Sequence, residues 1–184
     1  MRKLIYAINL TLDGCCDHTK GIADEEIHDF HTRLLQTSDT FLYGRKTYEL
    51  MVPFWPDISK NPSGDKSMDE FAMAFTGIRD IVVVSKTLKS PDEKTSIIKG
   101  NLREEVLRLK KEPGKPILTG GVDIPSQLIA LDLVDEFVFV FQPVLAGEGR
   151  RLSPGIPEMK KLLLLDVTRF RNGGVAARYG KTPD

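Results

Sequence analysis

Two spacings of apolar residues alternate along the chain. Leu4-Ile5-Tyr6-Ala7-Ile8-Asn9-Leu10 is a compact apolar run bounded by Asp13-Gly14, which marks a buried strand entering a loop. Ile27, Phe30, Leu34 and Leu35 then recur at helical spacing. Asp24 stands as their cap, with Glu25 and Glu26 in the first turn, where carboxylates face the positive end of the helix. Residues 39–43 predict a strand stopping at Gly44, and residues 45–51 a helix ended by Pro53. Residues 53–66 are rich in Pro, Asp, Ser and Gly and predict a loop carrying Phe54 and Trp55. Phe71, Ala72 and Phe75 predict a short helix fading at Gly77. Residues 80–85 predict a β-branched strand followed by a polar loop. Leu102, Val106, Leu107 and Leu109 predict the next helix, and residues 116–119 a strand closed by Gly120-Gly121. A short helix over 124–131 leads to the most apolar strand, 134–141. Residues 163–170 and 175–179 predict a closing hairpin around Arg171-Asn172-Gly173-Gly174.

Alternating strands and helices with a final hairpin define an α/β fold. We expect a mostly parallel central sheet, helices on both faces, and an antiparallel hairpin at one edge. No linker or repeat divides the chain, so residues 1–184 are expected to form a single domain. That length can bury one real core. The charges balance, 26 Lys and Arg against 26 Asp and Glu, which argues against a dedicated nucleic-acid-binding domain. The two cysteines, Cys15 and Cys16, are adjacent. They predict neither a structural disulfide nor a thiolate zinc site, and no metal is expected. Met1-Arg2-Lys3 before an apolar run has the look of a signal peptide, but Asn9 and Thr11 interrupt the run and Asp13 ends it. No stretch approaches a membrane span, so a cytoplasmic protein without a membrane partner is expected.

In such sheets ligands bind outside the carboxyl ends of the strands. Three places there combine glycine or hydroxyl with polar or basic residues. Tyr43-Gly44-Arg45-Lys46-Thr47 turns from strand to helix, either as an anion site or as a solvated basic turn. Ser85-Lys86-Thr87 could hold a terminal phosphate by a hydroxyl and a point charge, or simply be a polar loop. Thr119-Gly120-Gly121-Val122-Asp123 would let backbone approach a pyrophosphate, or serve packing alone. Neither a G-x-G-x-x-G fingerprint nor a Walker A sequence occurs. Three such corners together fit a phosphorylated dinucleotide lying along the sheet edge.

These pieces carry a resemblance. Ala7 with Leu12-Asp13-Gly14, Gly44-Arg45-Lys46-Thr47-Tyr48-Glu49, Val83-Val84-Ser85-Lys86, Thr119-Gly120-Gly121, and the run from Leu133-Val134-Asp135-Glu136 through Pro143-Val144-Leu145 to Gly147-Glu148-Gly149 span nearly the whole chain. The sequence resembles the dihydrofolate reductase-like superfamily, and most closely its riboflavin-pathway reductase (RibD C-terminal domain) branch. The resemblance implies a three-layer fold and NADPH as cofactor. It places Arg45, Lys46 and Thr47 on the cofactor's phosphates, and Ser85 and Lys86 near the adenosine ribose and its 2′-phosphate. Gly120, Gly121, Val122 and Asp123 would wrap the pyrophosphate, with a cis peptide between the glycines. Ala7 and Gly14 would border the nicotinamide. A homodimer is implied as well. Where a dihydrofolate reductase carries its pterin-holding acid, this chain has His28. Thr119 stands where the riboflavin-pathway enzymes usually carry Glu.

The implied activity is hydride transfer from NADPH to a small, pterin- or pyrimidine-like heterocycle, of the kind performed by a phosphoribosylamino-uracil reductase. A catalytically silent NADP(H)-binding or sensing protein is the alternative. Asp13, close to the expected nicotinamide, and His28, on the helix lining the cleft, are the candidate catalytic residues; each could instead be a turn aspartate or a surface histidine. Phe54 and Trp55 could stack on a planar substrate or plug the loop beneath them. Tyr6 is read as packing, and Asp135-Glu136 and Arg150-Arg151 as solvated surface.

Overall fold

The computed structural model describes residues 1–22, 24–89, 92–152 and 156–182. Eight strands form one sheet in the order β4-β3-β2-β5-β1-β6-β8-β7. They are β1 (Leu4–Thr11), β2 (Thr40–Gly44), β3 (Asp80–Val84), β4 (Thr95–Ile98), β5 (Ile117–Thr119), β6 (Glu136–Gln142), β7 (Leu162–Arg169) and β8 (Val175–Lys181). Strands β1 to β6 run parallel, and β8 and β7 complete the sheet antiparallel. The α-helices among the described residues are α1 (Glu25–Gln36), α2 (Arg45–Met51), α3 (Phe54–Lys60), α4 (Lys66–Thr76), α5 (Leu102–Lys111) and α6 (Asp123–Ala130).

Helices cover both faces. On one, Leu35 of α1 and Phe71 and Phe75 of α4 pack on Ile5, Phe41, Tyr43, Val83 and Leu118. On the other, Val106 and Leu109 of α5 and Leu128 of α6 pack on Leu4, Tyr6, Leu42 and Ile117. Period-2 alternation in the strands sends neighbouring residues to opposite cores, which is why these strands read as continuous apolar runs. The α1 cap is as expected: the Asp24 carboxylate accepts from Ile27 N at 3.0 Å.

Two expected loops contain regular structure. Residues 54–60 form α3, so Phe54 and Trp55 sit on a helix. Pro53 caps it and Pro56 falls in its first turn, where a missing N–H removes no intrahelical bond. Here proline starts a helix, and the composition that suggested a loop is that of a helix entry. The polar stretch after β3 contains β4, a four-residue strand paired in parallel with β3. It is too short for its alternation to stand out from the polar residues around it.

The surface reading of Asp135-Glu136 also needs correction. Glu136 is 4% exposed, and its carboxylate accepts from Lys3 Nζ at 2.6 Å and from Arg178 Nε at 2.7 Å. Burial pushes its pKa up, but these cations outweigh burial and hold it below the usual range. Asp135 accepts from Lys110 Nζ at 2.6 Å and from Leu4 N at 2.7 Å. At the far edge, Leu163, Leu164, Leu165 and Val167 of β7 are about half exposed.

Burial changes along β1 itself. Leu4, Ile5 and Tyr6 are buried, Ala7 and Ile8 half-buried, and Asn9 exposed although it lies in the middle of the sheet. Leu10 and Thr11 beyond it are buried again, so the exposure is local to residues 7–9.

Candidate active site

Three of the glycines mark a close approach of backbone to its surroundings. A Cβ on Gly44 would stand 2.9 Å from Ile124 Cγ1, and one on Gly120 would stand 3.5 Å from the Ala7 carbonyl. At Gly121, φ is +82° and a Cβ would collide with Thr47 Oγ1, so glycine is required. The end of β1, the β2–α2 turn and the β5–α6 turn thus meet at the carboxyl ends of the strands, where sheets of this kind carry their ligand crevice. Tyr6 completes the joint, its hydroxyl donating to the Gly121 carbonyl at 2.8 Å. Burial pushes its phenol well above the usual range, so the hydroxyl keeps its proton. Behind it, Thr119 Oγ1 donates to the Leu42 carbonyl at 2.6 Å. The Gly120–Gly121 peptide is trans, contrary to expectation; no cis peptide occurs among the described residues.

Around this joint the other expected cofactor residues fall into place unevenly. Arg45 and Lys46 are exposed at the start of α2, but Arg45 donates to both Glu49 carboxylate oxygens, at 3.0 and 2.9 Å. Val122 is buried, while Asp123 is exposed and paired with Arg150. Ser85 lies at the end of β3, two strands beyond β5 in the sheet. Its buried Oγ accepts from Thr87 N at 3.1 Å and Leu88 N at 2.9 Å. Lys86 beside it is exposed. Neighbouring strands lie about 4.8 Å apart, so this corner is about 10 Å from the glycine pair. An extended ligand could touch both.

Asp13 does not present a free carboxylic acid. Its oxygens accept from Thr11 Oγ1 at 2.5 Å, Ala146 N at 3.0 Å and Gly147 N at 2.9 Å, with Arg151 at 3.7 Å. The Thr11 hydroxyl above all, and then the two amides, hold its pKa down to about 2. At neutral pH it is a carboxylate tying the loop at 146–147 to the end of β1. Gly14, at φ +78°, turns the chain next to it.

A second wall, on α1 and the helices packed against it, carries histidines. His28 is half-buried between Trp55 and Phe71, with ring centroids 6.3 and 6.1 Å away, and its Nδ1 lies 3.3 Å from Ser67 Oγ. Burial lowers its pKa, against the opposing pull of Asp65, Asp24 and Asp29. One turn along α1, His31 Nε2 is 2.8 Å from Oδ1 of Asn9, the exposed mid-strand residue. Burial holds His31 down to about 4, so the pair is neutral. Trp55 packs on Phe71 at 4.4 Å, and Phe54 is half exposed beside it.

Asn9, His31 and Arg150 are the residues that sequence reasoning missed. Asn9 had a signal, since it breaks the apolar run of β1. His31 lies three positions from His28 on one helix face. Arg150 had none, because its partner Asp123 is 27 residues away.

Solved structures share this architecture. A protein named for riboflavin biosynthesis from Shewanella sp. PV-4 superposes with a TM-score of 0.75 at 17% identity, covering 98% of this chain and 99% of that one. A pyrimidine reductase-like protein of Corynebacterium diphtheriae gives 0.70 at 14%, covering 100% and 93%. Dihydrofolate reductase of Enterococcus faecalis, solved with NADP(H), gives 0.65 at 14%, covering 98% and 97%. The fold is thus dihydrofolate reductase-like. Within it, residues 2–176 match the RibD C-terminal domain, and the chain belongs to that family. Its curated relatives include two uncharacterised Bacillus subtilis (strain 168) proteins. YyaP is 34% identical over 182 residues, covering 97% of this chain and 94% of the relative. YwjB is 28% identical over 183 residues, covering 92% of each.

Proposed function

We propose that this protein is an NADPH-dependent reductase acting on a small planar heterocycle of pterin or pyrimidine type. Family membership and the dihydrofolate reductase-like neighbours support a reductase-type function on a heterocyclic substrate. The observation that carries the cofactor is the glycine-lined crevice. Gly44 and Gly121 let their turns close on Ile124 and Thr47, and Gly120 lies against the Ala7 carbonyl, so the turns after β2 and β5 come together at the strand ends, where the backbone of such turns suits a phosphorylated dinucleotide. The residues present fit the group.

In this reading Gly120, Gly121 and Val122 hold the pyrophosphate, with Thr47 and Lys46 beside them. Ser85 and Lys86 take the 2′-phosphate, which favours NADPH over NADH. Ala7 borders the nicotinamide. When bound, the cofactor supplies the hydride. Asn9, His31, His28 and Trp55 orient the substrate against it: the polar atoms fix its edge, and the indole covers its plane. Asp13 holds the loop and, being a carboxylate at neutral pH, is not a source of the proton. His28, half-buried beside Trp55, is the side chain of this wall placed to exchange one.

A second reading has its own support. With Asp13 committed to its loop and both histidines held neutral, the site offers no ready acid, which suits a silent NADP(H)-binding protein. Titration with NADPH and NADH, followed by NADPH oxidation at about 340 nm against pterins, pyrimidines, flavins and quinones, separates the cases. NADPH binding stronger than NADH, with turnover of a ring compound, is expected. Binding without turnover favours the silent protein, and binding of neither cofactor overturns both.

A further inference from the structure

Arg150 is anchored on one side of the crevice and reaches to the other. Its carbonyl accepts from Cys16 N at 2.8 Å, and Arg151 bridges Cys15, so its backbone is tied to the loop after β1. Its guanidinium pairs with the carboxylate of Asp123, the first residue of α6, beside Gly121 and Val122. It is also close enough to act electrostatically on Tyr6, whose hydroxyl holds the Gly121 carbonyl. The cation therefore spans the junction of neighbouring strands β1 and β5, beside the Gly120-Gly121 turn. Arg45, by contrast, is turned along its own helix to Glu49.

Building on the cofactor reading above, we propose that Arg150 is a strap across this crevice that exchanges its partner when the cofactor binds. Asp123 holds the guanidinium in the free protein, and the pyrophosphate takes it over in the complex. A guanidinium offers the same planar fork of donors to a carboxylate and to a phosphate, so the exchange needs no new geometry. The Arg150 and Asp123 side chains are 44% and 57% exposed, so water already weakens their pair and its opening costs little. Asp123 thereby keeps the strap in place and also opposes the phosphate, so it limits affinity.

The test is calorimetric titration of NADP+ and of 2′-AMP, which lacks a pyrophosphate. The proteins are the full-length chain and its Arg150→Ala, Arg150→Lys and Asp123→Asn variants. Arg150→Ala is expected to weaken NADP+ about tenfold or more, with Arg150→Lys in between and the same melting temperature for all. Asp123→Asn is expected to tighten NADP+ severalfold. Binding of 2′-AMP should not change, and the salt dependence for NADP+ should become shallower in Arg150→Ala. Equal NADP+ affinity in the parent and Arg150→Ala overturns the strap alone. So does a loss in Asp123→Asn that matches Arg150→Ala, or a matching loss for 2′-AMP. A parent protein that binds no NADP+ overturns the cofactor reading and the strap with it.

Discussion

The crevice has two unlike walls. One is made of backbone and formal charge: Gly44, Gly120 and Gly121, with Asp123 and Arg150 above them. The other is made of neutral side chains: the Asn9–His31 pair, His28 with Ser67, and the Trp55–Phe71 stack. A wall of glycine and charge recognises phosphates whatever else the ligand carries. A wall of neutral polar atoms and aromatic rings recognises the edge and face of a ring. The difference separates what the protein has in common with its fold from what is its own. In the proposed reading the first wall suits a cofactor common to many reductases, and the second, with His28 and His31 neutral, sets which ring is accepted.

The largest effect should come from breaking the first wall. Gly121→Ala puts a Cβ into a left-handed residue, costing about 1–2 kcal/mol. It also forces that Cβ against Thr47 Oγ1, where overpacking costs about 1–3 kcal/mol more. Chemical denaturation should show the sum, and NADP+ affinity should fall at least about tenfold. A variant as stable as the parent, with NADP+ binding intact, would mean that the two turns do not meet as described. Breaking the second wall should separate stability from cofactor binding. Trp55→Ala removes a half-buried indole from Phe71, Phe54 and His28 and should cost about 2–3 kcal/mol. Its NADP+ affinity is expected within about twofold of the parent. A parallel loss of cofactor binding would show that the walls act as one.

Legibility in the sequence follows the same division. The first wall consists of contiguous motifs: Gly44-Arg45-Lys46-Thr47 and Gly120-Gly121-Val122-Asp123 each form one strand-to-helix turn, so local chemistry exposes them. The strands and the Asp24-capped helix were legible for the same reason, since their periodicity and cap are local. The second wall is assembled from single side chains on separate elements. Asn9 and His31 are 22 residues apart and meet only because α1 lies across β1. Trp55 looks like a loop residue because residues 53–66 are rich in Pro, Asp, Ser and Gly, although proline is at home in a first turn. Charge was the least legible property. Arg45 and Lys46 are expected on the cofactor's phosphates, yet Glu49 pairs with Arg45, and Asp123, expected at the pyrophosphate, pairs with Arg150. Composition cannot show which charges are already paired.

The remaining test asks whether the second wall is neutral. His31 is held at about 4 in the folded protein, against an ordinary value near 6.5. Between those values the unfolded chain binds more protons than the folded one, so stability must rise with pH. His31's contribution is complete above about 6.5 and is lost as pH falls toward about 4. His28, also lowered, adds a slope of the same sign. Urea unfolding from about pH 4.5 to about pH 7.5 should show a steeper dependence in the parent than in His31→Gln, which cannot take up the proton. Equal slopes would mean that His31 titrates as it does in water and that Asn9 faces a cation at mildly acid pH. The wall would then attract anionic rings by charge. With the expected slope, Asn9 and His31 stay uncharged throughout the neutral range, and the ring is selected by hydrogen-bond pattern and shape alone.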